Sequence, residues 1–119
     1  MTQSILIIED DADLARLMQV QLSNEGYEVT VAIGGDQGLK EAVSSDPSAV
    51  VLDLRMAPTD GFEVLRQLKG SPATAAIPVI VTSVVDEAEG RATAAGASAF
   101  VIKPHQPGRL AEVVRSILG

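Results

Sequence analysis

Apolar and polar positions follow two rhythms along this chain. Five short runs are dense in aliphatic residues: "SILII" (4–8), "EVTVA" (28–32), "AVVLD" (49–53), "IPVIVTS" (77–83) and "AFVIK" (99–103). Runs this short predict strands, and the three nearly continuous in Val and Ile predict strands covered on both faces. Between them the apolar spacing turns helical. Leu14, Leu17, Met18, Gln21 and Leu22 mark one face, and Leu39, Ala42 and Val43 a second. Phe62, Leu65 and Leu68 mark a third behind Asp60, a predicted cap. Residues 87–95 give a weak fourth, apolar only at Ala88, Ala92 and Ala95, and the low burial predicts low local stability. Leu110, Val113, Val114 and Ile117 mark a fifth. Segments such as "NEGYE", "DPSA" and "AGAS" read as turns.

Strict alternation of strand and helix predicts an α/β fold. Five βα units give a doubly wound, five-stranded parallel sheet with right-handed crossovers and helices on both faces. No repeat, linker or low-complexity tract interrupts the pattern, so residues 1–119 read as one domain. Sheets of this kind bind ligands at the carboxyl ends of their strands. Candidate chemistry is therefore sought after strands 1, 3, 4 and 5.

Composition narrows the functions. Apolar residues are 46% of the chain and aromatics only 3%, so the core is aliphatic. A net charge of −7 argues against direct binding to nucleic acid or to an anionic membrane. Absence of cysteine removes disulfides and thiolate metal sites. No apolar run approaches the ~18 residues of a membrane span, and a cytoplasmic domain is the expectation.

The strand ends carry reactive side chains. Glu9 and Asp10 follow the first strand, Asp53 ends the third, Thr82 and Ser83 end the fourth, and Lys103 ends the fifth. Clustered carboxylates with a vacant charge requirement suit Mg²⁺, which takes one or two carboxylates along with water and phosphate oxygens. A carboxylate beside that ion can attack phosphorus, while a hydroxyl and an ammonium bind the phosphoryl oxygens. Each residue alone has a plainer reading as a solvated loop acid, a cap or a strand-end hydroxyl. Their joint occurrence on one sheet edge outweighs those readings. Asp11 and Asp13 are left to cap the first helix and favour its dipole. His105, the lone histidine, reads as a solvated loop residue.

These motifs resemble the receiver domain of two-component response regulators. "ILIIEDD", "VVLDLRMAPTDGFEVLRQLK", "IPVIVTS" and "AGASAFVIKP" occur in order and cover essentially the whole chain. The resemblance implies a flavodoxin-like strand order 2-1-3-4-5. It implies that Asp53 is the phosphoacceptor, served by a histidine kinase or a histidine phosphotransfer protein. It implies Mg²⁺ held by Asp10 and Asp53, by a water on Glu9 and by the backbone carbonyl of Arg55. Lys103 pairs with the phosphoryl group in this pattern, the Lys103–Pro104 bond is cis, and Phe100 takes the place of an aromatic switch residue. Activity is limited to the domain's own phosphorylation and dephosphorylation, with no turnover of an outside substrate. The face of strands 4 and 5 would meet an output domain or a second copy. Counting five residues from Pro78 places the switch hydroxyl at Ser83, although strand alternation leaves Thr82 as the other candidate. Ala57 and Pro58 depart from the family's Pro-Gly placement. Crowding of Glu9, Asp10 and Asp53 predicts that added Mg²⁺ stabilises the domain.

Three other functions are weighed. A flavin carrier needs N–H donors after the first strand, where this chain is acidic. An Asp-nucleophile phosphatase needs a second Asp two residues on, where Arg55 stands. A receiver-like interaction domain without phosphorylation would not need the full carboxylate, hydroxyl and lysine set.

Overall fold

The computed structural model describes residues 2–56, 60–84, 88–103 and 108–119. Strands β1 (Ser4–Ile8), β2 (Glu28–Ala32), β3 (Ala49–Asp53), β4 (Val79–Ser83) and β5 (Ala99–Ile102) alternate with helices α1 (Ala12–Asn24), α2 (Gly35–Ser45), α3 (Gly61–Gly70), α4 (Glu89–Ala94) and α5 (Arg109–Leu118). The strands form one parallel sheet in the order β2-β1-β3-β4-β5. The chain winds outward from β1 to β2, then reverses to β3. The reversal leaves a crevice at the carboxyl ends of β1 and β3.

Strand alternation sends side chains to two apolar layers. Leu6, Ile8, Val50, Leu52, Val79 and Val81 meet Val64, Leu65 and Leu68 of α3 and Ala42 of α2. Ile5, Ile7, Ala49, Val51 and Ile80 meet Met18 and Leu22 of α1 and Leu110 and Val114 of α5. All five residues of β3 are buried, and all five of β4, so the two strands that end on Asp53 and Ser83 are held from both sides. On edge strand β2 the pattern changes, and Glu28 and Thr30 face solvent.

The helix starts follow the expected capping. Asp11 accepts from the backbone N–H of Asp13 and Leu14 at 3.0 and 3.1 Å, and Asp13 lies in the first turn of α1. Asp60 accepts from Phe62 N at 2.9 Å. Two helix faces differ from the sequence expectation. Leu17 is 54% exposed and Val43 59% exposed. In α1 the buried stripe is Ala15, Met18 and Leu22, spaced three and four apart, and Leu17 falls one residue outside it. In α2 the buried face is Gly35, Gly38 and Ala42. Its small residues let the helix lie directly on β1, where a Cβ at Gly38 would sit 2.6 Å from Ile8 Cδ1. The fourth helix is short, as expected, and Ala92 is its buried residue. No helix among the described residues is long and apolar enough to cross a membrane.

Candidate functional site

Parallel register places the predicted chemistry side by side. Ile8 pairs with Leu52, so Glu9 and Asp53 leave adjacent strands at the same height. The ladder continues one step past the strand ends through Glu9 N to Ala32 O at 3.1 Å, Leu54 N to Thr82 O at 3.1 Å and Lys103 N to Ser83 O at 2.7 Å. Carboxylate oxygens of Glu9, Asp10 and Asp53 lie within 4.8 Å of one another. Glu9 is 0% exposed and Asp53 4%, while Asp10 is open to solvent. Lys103 Nζ stands 3.1 Å from Glu9 Oε1 and 3.2 Å from Asp53 Oδ1. Asp53 Oδ1 also accepts from Arg55 N at 3.2 Å.

One ammonium therefore faces two buried carboxylates and a third exposed one. Glu9 responds by holding its proton, its pKa pushed up to about 8. Burial is the main cause and the nearby Asp53 carboxylate adds to it, while Lys103 pulls the other way. Glu9 Oε2 is buried and finds no donor in the structure. A proton on that oxygen can be donated to Asp53. A hydrated cation would satisfy the same lone pairs, so the donor set fits a hard divalent ion in the Mg²⁺ class. Glu9, Asp10 and Asp53 are the side chains that would hold it.

The sign of the Glu9 effect gives a first prediction. Its folded pKa lies above the ordinary value of 4.5. The contribution to stability is thus full below pH 4.5 and is lost as pH rises toward 8. Urea unfolding of the metal-free domain should show a midpoint that falls across this window, and Glu9→Gln should flatten the fall. An identical slope in both proteins would contradict the assignment.

Thr82 and Ser83 are both buried, at 0% and 2% exposure. They point to opposite faces of the sheet. Thr82 stands in register with Asp53 and Val101, and its hydroxyl has no partner. Ser83 pairs with Ile102 and shares a face with Val81, whose partner is Phe100. Phe100 is half-buried on that face against the layer beneath α4. Ser83, and not Thr82, therefore shares a face with the aromatic ring. Arg55 has an exposed side chain. Ala57, Pro58, Pro104 and His105 lie outside the described residues.

Gly61 was not singled out in the sequence, and the structure makes it a key neighbour of the site. A Cβ there would lie 2.4 Å from Leu54 Cα and 2.6 Å from the Asp53 carbonyl oxygen. Gly61 N donates to Leu54 O at 3.1 Å. The first turn of α3 thus presses on the backbone that carries Asp53. "DG" at 60–61 was the available signal, a cap followed by a residue without a side chain.

Five parallel strands, a carboxylate triad and a lysine on their carboxyl edge define a doubly wound α/β domain with an acidic site at its switch point. The response regulator receiver domain model matches residues 5–115, and the chain belongs to that family. Response regulator PleD of Caulobacter vibrioides is 36% identical over 119 residues, covering 98% of this chain and 26% of PleD. The NtrX structure from Brucella abortus is 30% identical with a TM-score of 0.91, covering 99% of this chain and 28% of that one. Chemotaxis protein CheY4 of Vibrio cholerae shares the fold at a TM-score of 0.92 and 22% identity, covering 99% and 100%. This chain spans about a quarter to a half of the length of the curated relatives it matches.

Proposed function

We propose that this domain accepts a phosphoryl group on Asp53 from a phosphohistidine of a histidine kinase or histidine phosphotransfer protein. The carrying observation is the Lys103 ammonium held between Glu9 and Asp53 beside an open acidic edge. A carboxylate oxygen of Asp53 attacks phosphorus, the P–N bond breaks, and the imidazole leaves with a proton. Lys103 neutralises charge on the transferring group and keeps Asp53 oriented. Asp10, Asp53 and the Arg55 backbone carbonyl would hold Mg²⁺, with Glu9 holding one of its waters, and the ion would supply the remaining positive charge. The domain is a switch rather than a turnover enzyme, and it works in the cytoplasm.

Once Asp53 is modified, Ser83 turns to the new oxygens and Phe100 follows into the space beside it. The exposed face of β5 and the short α4 then change their partner, either an output domain or a second copy. Signalling partners of this kind accord with the response-regulator relatives.

Incubation with Mg²⁺ and acetyl phosphate, followed by intact mass, tests the acceptor. Wild type should gain one phosphoryl group and Asp53→Ala none; equal labelling of both would refute the site. The two hydroxyls separate by mutation. Ser83→Ala should still be labelled but lose the shift of the Phe100 ring resonances. Thr82→Val should keep both, and the reverse result would move the switch to Thr82.

A further inference from the structure

Beside the carboxylate cluster, on the α3–α4 side of the sheet, lies a cleft of about 430 Å³. Leu54, Arg55, Asp60, Phe62, Ser83 and Arg91 line it. Its charge stands out in a chain of net −7. Arg66, Lys103, Arg109 and Arg115 are in ion pairs, and Lys69 is bonded to backbone carbonyls. Arg16, Lys40, Arg55 and Arg91 have no carboxylate partner among the described residues, and of these four Arg55 and Arg91 border this one cleft. Arg91 lies over the Phe62 ring, its Cζ 3.8 Å from the ring centroid. That stacking fixes the plane of the guanidinium and leaves its N–H edge available for a planar, bidentate acceptor. Asp60 also borders the cleft, but its Oδ1 is engaged in capping α3 through Phe62 N at 2.9 Å. Among the described residues, two cations and one capping acid border the cleft.

We infer that this cleft binds a small organic carboxylate. Its charged head meets Arg91 and Arg55, and its apolar body lies against Leu54 and Phe62. The volume falls within the range of small-molecule sites, roughly 300–1,000 Å³. The guanidinium edge of Arg91 beside the apolar wall of Leu54 and Phe62 suits a carboxylate on an organic body better than inorganic phosphate. Arg91 and Phe62 lie outside the carboxylate–lysine cluster, while Arg55 and Ser83 border both the cleft and the proposed phosphoryl site.

Amide-resolved NMR titration of the whole chain with benzoate tests this, with benzamide and inorganic phosphate as controls. Benzoate should give saturating shifts at Leu54, Phe62 and Arg91, with a dissociation constant of about 1 mM or tighter. Benzamide and phosphate should bind roughly tenfold more weakly or worse. Arg91→Gln should weaken benzoate by a similar factor, and Phe62→Leu should do so by removing the ring that orients Arg91. Non-saturating shifts would overturn the site. So would benzoate binding unchanged in both variants, or shifts centred on Asp10 and Lys103 instead.

Discussion

Gly61→Ala is expected to destabilise the domain by about 3 kcal/mol, a loss of roughly 10 °C in unfolding temperature. The added methyl would meet backbone rather than a flexible side chain, at 2.4 Å from Leu54 Cα and 2.6 Å from Asp53 O. Relief requires α3 to move away from β3, and Leu65 and Leu68 resist because they are buried in the layer beneath it. The displaced backbone carries Asp53, so phosphorylation should fall further than stability alone explains. Gly90→Ala is the control. Nothing lies within 4 Å of a Cβ at Gly90, and its exposed helical site should gain up to about 1 kcal/mol. Thermal melts and acetyl phosphate labelling of the two variants make the comparison. A Gly61→Ala protein as stable as wild type would show that the α3 start is not locked against Asp53.

Lys103→Met carries the second large effect. Its side chain is 11% exposed and faces two carboxylates that are 0% and 5% exposed. Removing one partner of a buried ion pair leaves the others desolvated, at a cost of about 3 kcal/mol. The loss should depend on pH. Near pH 8 wild-type Glu9 is giving up its proton beside the ammonium, whereas without Lys103, which favours the charged form, Glu9 must keep its proton to higher pH. Toward pH 5 the proton on Glu9 takes over part of the lysine's role, and the deficit shrinks. Urea unfolding at pH 5 and pH 8 without added metal measures this. Equal losses at both values would mean that Glu9 and Lys103 do not share the same charge balance. Phosphorylation of this variant should be slowed severely at either pH, because no other described cation reaches both Glu9 and Asp53.

The strands were legible because burial on both faces writes itself as short aliphatic runs. "SILII", "EVTVA" and "AVVLD" match β1, β2 and β3 residue for residue. Residues 77 and 78 precede β4, and Lys103 stands one place beyond β5, where the chain turns toward the site. Helix faces were harder. Leu17 and Val43 look like core by composition, yet α1 and α2 contact the sheet through Ala15, Gly35, Gly38 and Ala42. Small residues at a close approach give no hydropathy signal. The carboxylates and the lysine were legible for a topological reason, since parallel strands deliver every carboxyl end to one edge. What could not be read was anything set by contact between distant helices. Gly61 against Leu54, and Arg91 over Phe62, depend on where α3 and α4 come to rest. That Ser83, and not Thr82, shares a face with Phe100 also waited on structure, because it is set by register.

The central claim is that Asp53, with Glu9, Asp10 and Lys103 around it, accepts a phosphoryl group and passes the change to Ser83 and Phe100. Amide and side-chain NMR of the domain with Mg²⁺ and beryllofluoride, which mimics an acyl phosphate, tests it most directly. Saturating shifts at Asp53, Ser83, Phe100 and Lys103 in wild type, lost in Asp53→Ala, are the predicted result. Unchanged spectra in wild type, or the same shifts in Asp53→Ala, would contradict the account.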